Sequence, residues 1–377
     1  MIAKIEEHTY IPPTIDISSS FSNDLAARKA VASQIHEASH GLGYFYVVGH
    51  GIPDAVCSQV LEQVKRFFTT LSEEQKLALK GVGGYGYETT GYTSAQGEPE
   101  TKQAFNLGYE ERLDELSTPG NKPRKTFGSN AWPQEKDLPG FFDGVKSYFS
   151  KVVHLHLHLI RLYAIGLGLP ENYFDEFVTN RQASARLMQY PRSKNPAPFD
   201  PERDNEQIGM GAHSDYQTLT INHASAEGLE ILSEEGRWLQ VPRKEGALIV
   251  NPGDFFQRIT NDRYQSTMHR VVNRTAEERY SMPIFFSFDY DRPVPILPTC
   301  VSEEEPAKYP PVAAGRYILE RSQTTTRAGA ERNIMRKAGW LPNEPEEKET
   351  EEQRLFRESK ARKLKAIEAI MGLTDGN

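Results

Sequence analysis

The sequence predicts an α+β protein, mainly β, in which helices come first and a sandwich or barrel of short strands follows. Three observations carry this reading. Apolar residues recur at helical spacing over residues 26–42, 56–68 and 140–167. From about Ala183, short alternating runs separated by turns recur every 8–12 residues or so, as in all-β sandwiches and barrels. After about Arg327 the composition shifts to Glu, Lys and Arg with few apolar residues, so this tail stands outside any core.

Taken in order, Ile11 to Ile17 reads as a short opening strand. Ala26 to Leu42 is a helix stopped by Gly41 and Gly43. Tyr44 to Val48 is aromatic and β-branched, hence a strand, closed by Gly49-His50-Gly51-Ile52-Pro53. Val56 to Phe68 is an amphipathic helix, and Ser72 followed by Glu73 and Glu74 caps a third. Residues 81–101, polar and rich in Gly and Tyr, read as a long loop that could act as a lid or as a packed connection. Residues 140–167 carry a strong helix pattern. The strands expected afterwards are Ala185–Tyr190, Leu219–His223, Leu229–Leu232, Trp238–Val241, Ala247–Val250, Phe255–Ile259, His269–Asn273 and Tyr280–Phe288. No internal repeat is evident.

Composition narrows the function. The 377 residues include 44 Lys+Arg against 52 Asp+Glu, a net charge of −8 with His neutral. That balance opposes duplex nucleic acid as a partner, because phosphates need cationic side chains. Two cysteines, Cys57 and Cys300, supply neither a disulfide framework nor a thiolate metal site and read as core fillers. The N-terminus lacks a basic start and apolar run, and no stretch approaches the ~20 apolar residues of a membrane span. A cytoplasmic protein with no membrane or nucleic-acid partner is expected. The Asn273-Arg274-Thr275 pattern carries no weight without a secretory signal.

The chemistry concentrates around Gly211-Ala212-His213-Ser214-Asp215-Tyr216. In an extended backbone His213 and Asp215 project from one face, since strand side chains repeat with period two. His269 follows downstream, and a neighbouring antiparallel strand could set it beside the pair. Two imidazoles and one carboxylate on one side of a metal leave open coordination positions, the arrangement of non-haem Fe(II) oxygenases. A lone His-x-Asp triplet more often marks a surface strand. Arg279-Tyr280-Ser281 adds a pair on one strand face, with a planar guanidinium suited to a carboxylate.

His213-x-Asp215, His269 and Arg279-x-Ser281 together resemble the metal triad and co-substrate clamp of the isopenicillin N synthase-like 2-oxoglutarate/Fe(II) dioxygenases. Gly43 to Pro53 is similar to that family's glycine–aromatic strand and His-Gly-Ile-Pro turn. Gln189-Tyr190-Pro191, Leu219-Thr220-Ile221, Gly228-Leu229-Glu230, Trp238 and Asn251-Pro252-Gly253-Asp254 follow in the family's order. The match runs from about residue 10 to 322, and the flanks of His269 and Arg279 look most like fungal members. These include thymine 7-hydroxylase and secondary-metabolite oxidases.

The resemblance implies a double-stranded β-helix, or jelly roll, with N-terminal and supporting helices. It implies an N-terminal α/β segment over 1–100, a jelly-roll core over 101–326 and a charged helical or partly disordered tail over 327–377. His213, Asp215 and His269 would ligate Fe(II). Arg279 and Ser281, with Tyr190, would hold 2-oxoglutarate, and O2 would take the open position. The expected reaction hydroxylates a small organic molecule, or desaturates or cyclises it, releasing succinate and CO2. A secondary-metabolite intermediate, an amino-acid derivative or a nucleobase would serve. One departure stands out: many plant relatives carry Asn two residues before this Tyr, where this chain has Met188.

Strand counting extends the site. Arg279, Ser281, Pro283 and Phe285 alternate along one face, so Phe285 should look into the same cavity. Arg186 shares a face with Tyr190 and could bind a substrate carbonyl or carboxylate, or form a structural salt bridge. Tyr216 is a further candidate substrate wall. Two other patterns are set aside. Gly81-Val82-Gly83-Gly84-Tyr85-Gly86 lacks the preceding strand and following helix of a dinucleotide site. His154, His156 and His158 lack the Glu of a zinc helix and read as structural. The tail's last apolar stretch, Leu364 to Leu373, is a candidate protein contact, and oligomeric state is open. The rival functions are an oxidative cyclase of the same fold that needs no 2-oxoglutarate, and a non-catalytic binding protein on this scaffold.

Overall fold

The computed structural model describes residues 4–6, 8–81, 85–91, 100–115, 129–180, 182–200 and 208–325. The chain opens with β1 (Lys4–Glu6), β2 (Thr9–Ile11) and β3 (Thr14–Asp16). The single strand expected over 11–17 is interrupted at Pro12-Pro13, which have no N–H to give a neighbour. Helix α1 (Leu25–His40) starts at Asp24, whose carboxylate accepts from the Ala26 amide. Strand β4 (Phe45–Val48), α2 (Asp54–Thr70) and α3 (Glu73–Ala78) follow, the last entered through a reciprocal Ser72–Gln75 capping box.

Two strands escaped the pattern. β5 (Gly86–Glu88) lies inside the segment expected as loop, and β6 (Gln103–Gly108) gave no signal. Gly86 has φ +105°, and a Cβ there would come within 2.3 Å of the Leu79 carbonyl oxygen. Its glycine therefore serves a close backbone approach, not a nucleotide.

The 26-residue α4 (Phe141–Gly166) precedes the main strand series. That series is β7 (Gln182–Tyr190), β8 (Ile208–His213), β9 (Leu219–Asn222), β10 (Leu229–Leu232), β11 (Trp238–Val241) and β12 (Leu248–Pro252). The run expected as strand over 255–259 is instead helix α5 (Asp254–Ile259). Phe255, Phe256 and Ile259, all fully buried, recur at helical spacing, and Asn261 and Asp262 in the left-handed region end the turn. β13 (His269–Val272) follows. The run 280–288 is split at Met282-Pro283 into β14 (Arg279–Ser281) and β15 (Ile284–Ser287), and α6 (Ala314–Thr325) ends the described chain.

The strands form two large sheets. The smaller runs β1-β2-β11-β10-β13-β8, and the larger runs β3-β4-β12-β9-β15-β7-β6-β5 with β14 also on β7. This is an α+β fold with a jelly-roll core. Period-two alternation assigns the two faces of the larger sheet. Phe45, Val47, Phe105, Leu107, Ala185, Leu187, Val250, Ile284 and Phe286 join the core shared with the helices. Their alternates Tyr44, Tyr46 and Ile249 pack inward with Ile231, Leu239 and Val241 of the smaller sheet. Ala104, Met188 and Tyr190 pack inward with Val271. Each large apolar residue buried this way contributes roughly 1.5–3 kcal/mol.

The α4 histidines are held apart. His154 meets Asp114, His156 bonds the Val152 carbonyl and stacks on Phe286, and His158 meets the Ser20 hydroxyl. Cys57 and Cys300 are buried free thiols within the core. No helix among the described residues is long and apolar enough to cross a membrane. The tail from 326 onward lies outside the described residues.

Candidate active site

Antiparallel pairing of β8 and β13 sets His269 directly opposite His213. Their rings lie 4.2 Å apart between centroids. Asp215 sits just past the end of β8, where the Asp254 amide donates to its carbonyl oxygen (2.7 Å). Gly253 lets that backbone approach, since a Cβ there would stand 2.1 Å from the Gln217 carbonyl oxygen. His213, Asp215 and His269 each offer a ligand atom, and these atoms lie within 4.8 Å of one another. Among the described residues they are the only such group of three.

Neighbours aim each ligand. Thr220 Oγ1 (2.6 Å) and Asn251 Nδ2 (2.9 Å) both donate to Asp215 Oδ2. That leaves Oδ1 toward His213 Nε2 (3.9 Å) and His269 Nε2 (3.7 Å). His213 Nδ1 lies 2.8 Å from the Gly211 carbonyl oxygen, and His269 Nδ1 lies 3.2 Å from that of Thr267. A carbonyl only accepts, so each Nδ1 carries the proton and each Nε2 presents its lone pair. Burial, then the nearby His269, pulls His213 down to about 4 despite Asp215, which keeps its imidazole neutral. Burial raises Asp215, but the two histidines and the Thr220 and Asn251 hydrogen bonds outweigh it and hold the carboxyl below its usual value.

The triad lines a cleft of about 450 Å³. Arg279, Ser281, Pro283 and Phe285 all line it too, so the alternation survives the break between β14 and β15. Arg279 pairs with Tyr190 and Ser281 with Met188 across β14 and β7. The guanidinium of Arg279 lies 4.9 Å from the Tyr190 ring, and its Nε donates to the Ala226 carbonyl (3.1 Å). Arg279 is 2% exposed and Ser281 is 0% exposed, yet Arg279 Nη1 and Ser281 Oγ have no hydrogen-bond partner. The guanidinium thus meets a carbonyl and an aromatic ring but no carboxylate among the described residues; a buried cation without an anionic partner is costly, and a carboxylate guest would relieve that cost. The donor set therefore fits a metal and an anionic co-substrate side by side.

Two expected substrate residues have other surroundings. Arg186 donates from Nη2 to Glu88 (2.8 Å) and from Nε to Asn106 (2.9 Å) and is not among the cleft residues. Its structural reading is the one that fits. Tyr216 also lies outside the cleft lining, with the Arg321 guanidinium of α6 4.9 Å from its ring. Met188, at the position of the missing Asn, turns its sulfur to the Tyr190 hydroxyl (3.2 Å). Tyr44 adds a residue that the motifs do not mark. It lines the cleft beside His269, and its buried hydroxyl is unpartnered. Its alternation with Phe45 was the available signal.

A family profile described as the 2OG-Fe(II) oxygenase superfamily matches residues 182–288, which hold the triad and Arg279-x-Ser281. A second, described as the non-haem dioxygenase in morphine synthesis N-terminal, matches residues 12–135. The 2-oxoglutarate-Fe(II) type oxidoreductase hxnY of Emericella nidulans is 32% identical over 80% of this chain and 86% of its own length. The chain belongs to the 2OG-Fe(II) oxygenase superfamily. It is an oxidoreductase of the dioxygenase type, whose family uses Fe(II), 2-oxoglutarate and O2. The oxygenase is also 32% identical to the 2-oxoglutarate-dependent dioxygenase citB of Monascus ruber, over 83% of this chain and 95% of that one. Among solved structures it resembles a full-length Neurospora crassa protein in complex with alpha-KG and thymine. The TM-score is 0.72 at 26% identity, over 84% of this chain and 98% of that one.

Proposed function

We propose that this oxygenase hydroxylates a small organic molecule in the cleft, or desaturates or cyclises it, with 2-oxoglutarate converted to succinate and CO2. The observation that carries the reading is the pair of unpartnered buried groups, Arg279 Nη1 and Ser281 Oγ, in the same cleft as three convergent ligand atoms. His213, Asp215 and His269 would hold Fe(II). Arg279 and Ser281 would take the far carboxylate of 2-oxoglutarate, with Tyr190 beside them. O2 would be the oxidant, with the metal and 2-oxoglutarate activating it for attack on an unactivated C–H bond: two of its four electrons would come from the 2-oxo acid and two from the substrate.

The chain's own residues bind, orient and exclude water. Thr220 and Asn251 fix the Asp215 carboxylate, so the ligand oxygen is aimed before a metal arrives. Met188, Met210, Leu229, Val271, Pro283 and Phe285 give the cleft a largely apolar wall. That wall suits an uncharged substrate with a flat or aliphatic face, and no cation beyond Arg279 is among the described lining residues. Thymine and 5-formyluracil in complexes of the Neurospora crassa protein favour a compact heterocycle; secondary-metabolite intermediates and amino-acid derivatives of similar size are the other candidates.

The test is 2-oxoglutarate binding to the anaerobic Fe(II)-loaded protein, followed by succinate release with a panel of small neutral substrates. Saturable binding that depends on Arg279 is expected. Absence of 2-oxoglutarate binding would sink the reading. Oxygen uptake with substrate and no 2-oxo acid would favour an oxidative cyclase of the same fold.

A further inference from the structure

The support of one ligand extends beyond the cleft. His213 Nδ1 donates to the Gly211 carbonyl, and the Gly211 amide in turn donates to Glu100 Oε1 (2.8 Å). Glu100 precedes β6 and is 111 residues away in sequence. Its side chain is 5% exposed, and its other oxygen lies 3.2 Å from Lys102 Nζ. The same segment fastens the strand through backbone bonds from Thr101 to Ile208 (3.2 Å) and from Lys102 to Gly209 (3.3 Å).

This stretch of β8 is in need of outside support. It ends the smaller sheet, and its ladder with β13 slips register between the His269–His213 and Val271–Met210 pairs. Gly211 falls inside that irregularity, where the regular ladder is interrupted. Glycine is also the residue whose backbone is least restrained by its own sterics. A buried amide at such a place needs a partner, and the Glu100 carboxylate provides it.

We propose that Glu100 is a positioning residue for the metal centre. Its carboxylate pins Gly211, and Gly211 pins the tautomer and ring direction of His213. This inference rests on the metal-centre reading above. Glu100 acts through its acceptor oxygen on Gly211, and the neighbouring Lys102–Glu88–Arg186 ion pairs serve stability instead.

The experiment titrates the full-length apo protein with Co(II) as an air-stable substitute for Fe(II), reading affinity and the visible spectrum. Glu100→Ala should weaken Co(II) by about tenfold, the low end for outer-shell partners of a ligating histidine, and alter the spectrum. Glu100→Gln, which keeps an acceptor, should recover most of both. Glu88→Gln cuts the ion pairs without touching Gly211. It should lower the melting temperature yet leave Co(II) affinity within about twofold, since only Glu100 reaches the ligand's support. If Glu100→Ala does not fold, Glu100→Leu removes the acceptor at closer volume. Wild-type affinity and spectrum in a folded Glu100→Ala or Glu100→Leu protein would overturn the proposal. Equal weakening by Glu88→Gln would overturn it as well, pointing to general stability. His213→Ala is the control: if it still binds Co(II) like wild type, the metal-centre reading itself has failed.

Discussion

Two clusters of buried charge face inward from the larger sheet, and they are finished differently. Around Arg186 the groups answer one another. Arg186 meets Glu88 and Asn106, Glu88 meets Lys102, and Lys102 meets Glu100. Around Arg279, farther along the same inward face, the guanidinium meets the Ala226 carbonyl and the Tyr190 ring but no carboxylate among the described residues, and Nη1 and Ser281 Oγ are buried without a hydrogen bond. Both clusters are Arg-centred and both touch β7. Burial alone therefore does not distinguish scaffold from receptor. A closed set of partners has no use for a guest, whereas an open set is costly until one arrives.

The sharpest way to break this contrast is at the ligands of the open cluster. His213→Ala or Asp215→Ala should abolish both metal binding and turnover, measured by Co(II) titration and succinate release. Retained turnover in either variant would remove the cleft's claim to be a receptor. Next, Arg279→Met should weaken 2-oxoglutarate by roughly 30-fold or more, the 2–5 kcal/mol typical of losing one partner of a buried charge pair. Its melting temperature should stay level or rise, because the substitution removes a buried cation that has no carboxylate partner among the described residues. A large loss of stability would mean that Arg279 is scaffold after all.

The closed cluster should behave in reverse. Glu88→Gln should cost about 3–5 kcal/mol in urea unfolding, as expected when a buried pair loses one member. Burial would raise the Glu88 carboxyl, but Arg186 and Lys102 overcome this and hold it at about 2, below the ordinary 4.5. The folded state thus binds this proton less readily than the unfolded chain. Its contribution is full above the ordinary carboxyl pKa and is lost as pH falls toward 2, on the order of 3 kcal/mol. The acid limb of a stability–pH curve should be flatter in Glu88→Gln. The smallest effect is expected at Thr220→Val, which removes one of two donors to Asp215 Oδ2. Metal affinity should fall about tenfold with little change in melting temperature, and an unchanged affinity would assign the aim of Asp215 to Asn251 alone.

Much of the site was legible in one dimension because strands translate sequence parity into direction. Arg279, Ser281, Pro283 and Phe285 reach one cleft for that reason, even across the interruption at Met282-Pro283. Parity failed for Arg186, which has the inward direction of Tyr190 but meets the Glu88 carboxylate, 98 residues away in sequence, before it meets the cleft. Tyr216 was a candidate only as the chain neighbour of Asp215; the two side chains part, Asp215 into the cleft and Tyr216 to the Arg321 guanidinium. The run at 255–259 reads as a strand yet folds as a helix because a short apolar stretch satisfies both periods, and only length and context separate them.

The sequence by itself determined the His-Asp-His triad, the pairing of Arg279 with Ser281 proposed as the clamp, and the order of helices before the strand-rich part, with a compositional shift to charged residues after it. These rest on local spacing and residue chemistry, which are present before folding. Tertiary structure decided which polar groups are closed off and which remain open. It set His269 opposite His213, gave Asp215 Oδ2 to Thr220 and Asn251, tied Gly211 to Glu100, and left Arg279 Nη1 without a partner. The physical reason is that a hydrogen-bond account is settled by neighbours in space. In this chain most of those neighbours come from strands far apart in sequence, brought together only by the register of the two sheets.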